Sequence, residues 1–148
     1  MLKKLFAPAN DSFFTSIGLL VLRIWLGGTL LINHGLGKLT SFQSMSSGFP
    51  DPLGVGHATS LALVVFAEAI GAILLVLGLV TRFAALIIAI NMAVAFFCVH
   101  KMALSGEHSG ELAFIYLAGS VTLFLSGGGA MSLDKVIFKG GGAKKSAN

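Results

Sequence analysis

Three polar residues interrupt runs that are otherwise apolar: Arg23, Glu68 and Asn91. Each lies nine or ten residues into its run. At ~1.5 Å of rise per helical residue, each is ~14–15 Å from the start, near the middle of a bilayer. An arginine or carboxylate at that depth costs ~2.5–3.5 kcal/mol on insertion scales. Two such costs at one depth predict that Arg23 and Glu68 neutralise each other as an intramembrane ion pair, with Asn91 bonded to one of them. Such a pair is either a clasp that fixes helix packing or part of a polar path or ligand pocket.

A second polar group gathers at the opposite ends of these runs. His34 closes the first, His57 precedes the second, His100 closes the third and His108 lies in the loop before the fourth. Glu111 opens the fourth run, with Lys38 and Glu107 nearby. Arg23 and His34 are eleven residues apart, as are His57 and Glu68. That spacing turns through only ~20° on a helix, so each pair shares a face. Asn91 and His100 are nine apart and fall on opposite faces of a straight helix, unless that helix is irregular. Histidine and glutamate can both donate to a quinone's carbonyl oxygens and accept protons from its reduced form. They are also ligand types for zinc, copper or iron. Here they come from separate segments without HExxH or paired-cysteine spacing, and no metal is assigned. Anchoring of helix ends is the alternative use of the same histidines.

The elements that must carry these residues follow from composition. The chain of 148 residues is 55% hydrophobic and 11% charged, less than half the charge of a soluble domain. Lipid is the natural solvent for that excess. Four runs approach spanning length: about 13–34, 58–80, 82–103 and 111–126, the last one short. The expected fold is all-α, an antiparallel four-helix integral membrane bundle. Thr81 marks a very tight connection, so the second and third helices are neighbours. Lys3, Lys4, Arg82, Lys135, Lys139, Lys144 and Lys145 fall on one side and only Lys38 and Lys101 on the other. Positive charge collects in the cytoplasm, which places both termini there. Residues 135–148 read as a basic, disordered cytoplasmic tail.

Several function classes drop out. The basic residues form no aromatic-interleaved patch, which argues against nucleic acid. Cys98 is alone in an apolar run and reads as a buried, inert thiol. There is no CxxCH, dinucleotide fingerprint or cysteine set, so no covalently attached haem, flavin or iron–sulfur cluster is expected. Gly27, Gly28, Gly71 and Gly78 read as places of close helix approach.

Leu22-Arg23-Ile24, His34-Gly35-Leu36-Gly37-Lys38-Leu39, Glu68-Ala69-Ile70-Gly71, Gly78-Leu79-Val80-Thr81-Arg82, Val99-His100, Gly110-Glu111 and Ser132-Leu133-Asp134 occur in that order. In this arrangement residues 1–134 resemble the DoxX family of small four-helix membrane proteins. The resemblance implies a multi-pass protein of the bacterial inner membrane with a link to quinone-coupled redox chemistry. It carries the family's polar positions onto Arg23, His34, Lys38, Glu68, His100 and Glu111. The chain departs from the family at Gly128-Gly129-Ala130-Met131, where relatives often have proline, arginine and an aromatic residue.

The resulting expectation is a membrane subunit or accessory of a quinone-linked oxidoreductase. A quinone or quinol is its ligand, and a partner redox subunit or a second copy of the chain is its partner. Candidate catalytic residues are His34, His100 and Glu111. Candidate ligand-binding residues are Arg23, Lys38, Glu68 and Asn91. A non-catalytic scaffold or assembly factor, and a small proton or solute transporter, are the rival readings.

Overall fold

The structure, a computed structural model, describes residues 12–139. Helix α1 runs through Ser12–Leu30, a π-helical turn at Leu31–Gly35, and Leu36–Thr40. A short α2, Phe42–Met45, begins the loop to α3, which runs His57–Leu77 with a π turn at Phe66–Gly71. Next comes α4, Thr81–Val99, whose last turn, Ala95–Val99, is also π. Two helices complete the chain: α5, Glu111–Ser126, and α6, Leu133–Lys139. Among the described residues there is no strand.

Helices α1, α3 and α4 are long and apolar enough to cross a membrane, and α5 is a shorter apolar helix of 16 residues. Large side chains such as Trp25, Ile32, Phe97, Ile115 and Leu125 face outward. A surface this apolar is stable against hydrocarbon rather than water.

The boundaries differ from expectation where local chemistry overrides hydropathy. Helix α1 does not close at His34 but continues through Gly35 and Gly37 to Thr40, with no proline to stop it. Helix α3 ends at Leu77, where Gly78 takes the left-handed conformation (φ 67°). The Leu79 amide donates to the Leu74 carbonyl and that of Gly78 to the Leu75 carbonyl, a Schellman stop. Helix α4 ends at Val99, and Lys101 and Met102 turn the chain with positive φ. The span from Glu111 to Ser126 agrees with the sequence. Residues 133–139, in part expected to be a solvated tail, form α6; 140–148 lie outside the described residues, as do Lys3 and Lys4.

Residue numbers rise along α1 as they fall along the α3 residues facing it. Gly35 meets Glu68, Gly27 meets Ala72 and Val76, and Arg23 meets Gly78. The glycines permit this approach: a Cβ on Gly27 would stand 2.8 Å from Val76 Cγ2. The apolar interior divides in two. One core joins Leu26, Leu30, Leu75, Ile88, Met92, Phe96, Tyr116 and Leu123. The other joins Leu61, Val65 and Ala69 of α3 to Phe42, Met45 and Phe49.

Candidate functional site

Glu68 sits in the π turn of α3 and is almost fully buried. Both carboxylate oxygens are engaged. Lys38 Nζ donates to Oε2 at 2.5 Å, and Asn91 Nδ2 donates to Oε1 at 3.2 Å. Lys38 reaches Glu68 because α1 extends past His34. Close backbone contact also brings the two helices together, since a Cβ on Gly35 would collide with the Glu68 carbonyl. The π turns of α1 and α3 therefore meet back to back. Such turns often mark functional sites, because one extra residue per turn re-aims the side chains around it.

The group lines a cavity of about 600 Å³ between the two apolar cores. Its walls are mainly apolar, and His34, Lys38, Glu68, Asn91, His100 and Tyr116, with Ser60 and Ser109, supply polar side chains. The Tyr116 ring stands edge-on to His34, with centroids 6.0 Å apart, and its hydroxyl donates to Thr29 Oγ1. His100 Nδ1 lies 3.0 Å from the His108 carbonyl oxygen. Asn91 and His100 both face the cavity because the π turn at Ala95–Val99 intervenes between them. The irregular form of that helix is the one observed.

The predicted Arg23–Glu68 pair does not form. Arg23 is fully buried at the other end of α3, where Nη2 donates to the Met131 carbonyl at 2.7 Å. Nη1 faces the Leu75 and Val76 carbonyls, each at 3.4 Å. Equal residue counts give equal depth only when two helices start flush with opposite surfaces. Helix α1 starts well beyond the end of α3, so Gly35 is level with Glu68, and the offset of twelve residues from Gly35 back to Arg23 puts Arg23 about 18 Å away. Arg23 thus holds the 131–134 segment to the α3–α4 turn, and Asp134 caps α4 by accepting from the Val80 and Thr81 amides.

The remaining candidates separate as well. Glu111 is exposed at the start of α5 and does not line the cavity. His57 is exposed, with Nδ1 2.6 Å from the Phe49 carbonyl oxygen. Among the described residues, no three His, Cys, Asp or Glu side chains are grouped as a metal site. Cys98, expected to be buried, is exposed on α4, on the apolar outer face of that helix rather than in the core.

The DoxX family model matches residues 18–101, more than half of the chain and all three long helices. A Bacillus subtilis protein named "Putative oxidoreductase CatD" is 33% identical over 140 residues, covering 94% of this chain and 97% of that one. A Haemophilus influenzae protein named only as uncharacterised is 37% identical over 116 residues, 74% of this chain and 84% of its own length. The chain belongs to the DoxX family. No solved structure is significantly similar to it.

As a DoxX protein with these apolar helices, the chain is a membrane protein. The matched segment contains six of the eight polar residues that line the cavity, and the other two, Ser109 and Tyr116, lie beyond it. Sequence reasoning missed Tyr116, although the only tyrosine in the chain (in an apolar run) has a hydroxyl that needs a partner. At the family departure, the DoxX chain here uses Met131 through its backbone carbonyl. A Cβ on Gly128 would press 2.5 Å from Thr81 Oγ1, which explains the small residue there.

Proposed function

We propose that the cavity binds the head group of a quinone or a similar lipid-soluble carbonyl compound, and that the protein is a membrane subunit or accessory of a quinone-linked oxidoreductase. The Lys38–Glu68–Asn91 cluster at the edge of an apolar cavity carries this reading. An ion pair buried beside lipid is expensive unless both charges are paired and hydrogen-bonded. Here it stands where a ligand could reach it instead of being sealed in a core.

A bound quinone supplies two-electron, two-proton redox chemistry. The chain's own groups would bind it and handle protons. An ammonium has three donors, and among the described residues Lys38 spends one on Glu68, leaving donors for a carbonyl oxygen. Glu68 is the proton acceptor beside it. Asn91 holds the other carboxylate oxygen and fixes the orientation. His34 and His100, at the cavity wall, are the next groups able to carry a proton outward. Arg23 and Glu111 have no part in this arrangement. The relative named as an oxidoreductase supports a redox association.

The four apolar helices would form an antiparallel bundle in a bacterial inner membrane with both termini cytoplasmic, as the lysine and arginine distribution favours. Electrons would pass to or from a partner subunit. The test is thermal stabilisation by a short-chain quinone in mild detergent. A ligand at 100 times its Kd adds about 2.7 kcal/mol. The wild type should show a clear rise in Tm and Glu68→Gln should show none. An equal rise in both would remove Glu68 from the site.

A further inference from the structure

We propose that the cleft between the first half of α3 and the second half of α4 is a side entrance from the bilayer, and that it holds the ligand's extended apolar tail. This rests on the head-group reading above and adds the class of ligand: an amphiphile with a compact polar head and a long hydrocarbon chain.

The cleft follows from how the interior divides. Leu61 and Val65, in the first half of α3, pack toward Phe42, Met45 and Phe49. Met92 and Phe96 of α4 pack with Tyr116 of α5 in the other core. The two units diverge from the α3–α4 turn, and the cavity fills the wedge. Glu68 and Asn91 bridge the wedge at its base.

The edges of the wedge face outward. Leu63 and Phe66 on α3 and Ile90 on α4 all line the cavity, yet they are 54%, 44% and 58% exposed. Leu63 and Phe66 lie in the middle of α3 and Ile90 in the middle of α4, helices long and apolar enough to cross a membrane. A chain leaving mid-span between such helices passes from one apolar medium to another.

The route from the loop side is covered. Phe49, Pro50, Pro52 and Leu53 line the cavity on that side. Their loop is tied down: the Asp51 carboxylate accepts from the Val55 and Gly56 amides and from Ser60 Oγ, and His57 Nδ1 meets the Phe49 carbonyl. Two prolines stiffen it further. A ligand with a long tail therefore has its way in through the membrane.

The experiment compares a tail-less benzoquinone with the same ring carrying a decyl chain, on wild type, Leu63→Trp and Ile90→Trp in detergent. Tail burial adds affinity with each methylene, so the wild type should bind the decyl compound at least about tenfold more tightly. Each tryptophan should bring the ratio of decyl to tail-less affinity close to one. Decyl binding that is undiminished in both variants overturns the side entrance while the head-group site stands. If the wild type binds neither compound, the head-group reading fails and this one with it. A second measurement uses wild-type protein alone: a quinone with a diazirine at the end of its chain should label Leu63, Phe66 or Ile90. Labelling confined to residues 49–53 contradicts the route.

Discussion

Lys38 and Glu68, thirty residues apart in the chain, meet with Nζ 2.5 Å from Oε2, one turn beyond a π turn on α1 and within a π turn on α3. The pair lines the cavity, with Glu68 at the base where Asn91 of α4 meets it. Its position makes the bonding of each partner separately testable.

Removing one member of this pair should cost far more than replacing both. Lys38→Met leaves the carboxylate uncompensated and should destabilise the protein by about 3–5 kcal/mol. A Lys38→Met, Glu68→Leu double variant should regain much of that loss while failing to bind quinone. Chemical or thermal unfolding of the three proteins in one detergent checks it. A double variant as unstable as the sum of the single changes would contradict the pairing.

Arg23 should matter for stability alone. Arg23→Met abandons the Met131 carbonyl and frees the C-terminal segment, a loss of at least about 2 kcal/mol for a buried bond to a charged group. Quinone affinity of the folded protein should stay within a factor of two of wild type. A selective loss of affinity at unchanged Tm would mean that Arg23 communicates with the cavity after all.

Gly35→Ala inserts a methyl group against the Glu68 backbone carbonyl. Overpacking of this kind costs about 1–3 kcal/mol. Because the clash falls on the turn that presents Glu68, ligand affinity should fall together with Tm. Gly28→Ala is the control, since nothing lies within 4 Å of the added atom. Equal behaviour of the two variants would refute the back-to-back contact.

The loop roof should loosen in acid. The hydrogen bond from Ser60 is the largest influence holding the Asp51 carboxyl below its usual range; burial, next in size, opposes it, and the Gly56 and Val55 amides and the charge of His57 add to the lowering. A lowered folded pKa means that its stabilisation is complete above the unfolded value of ~3.9 and is lost as pH falls through the lower folded value. Amide exchange at Val55 and Gly56, corrected for intrinsic rates, should accelerate across that acidic window in wild type. In Asp51→Asn it should be fast already at neutral pH. A pH-independent corrected rate in wild type would sink this assignment.

Much of the fold was legible because hydropathy and length report directly on burial in lipid. The span from Glu111 to Ser126 and the tight α3–α4 turn are examples. The site was less so, and Arg23 shows why. Counting residues from the start of a run gives depth only if the helix starts at the membrane surface, and α1 overruns α3. The facing of Asn91 and His100 depended on a π turn, which leaves no periodic mark in an apolar stretch. Lys38 was recognised as polar and near the site, but its reach to Glu68 depended on α1 continuing to Thr40.

The most direct test is to purify the protein from its native membrane in mild detergent, extract it with organic solvent, and quantify quinone per polypeptide. Wild type and Arg23→Lys should carry close to one quinone per chain, while Lys38→Met and Glu68→Gln should carry close to none. Folded wild-type protein that carries no quinone, and takes none up when it is supplied, would contradict the account.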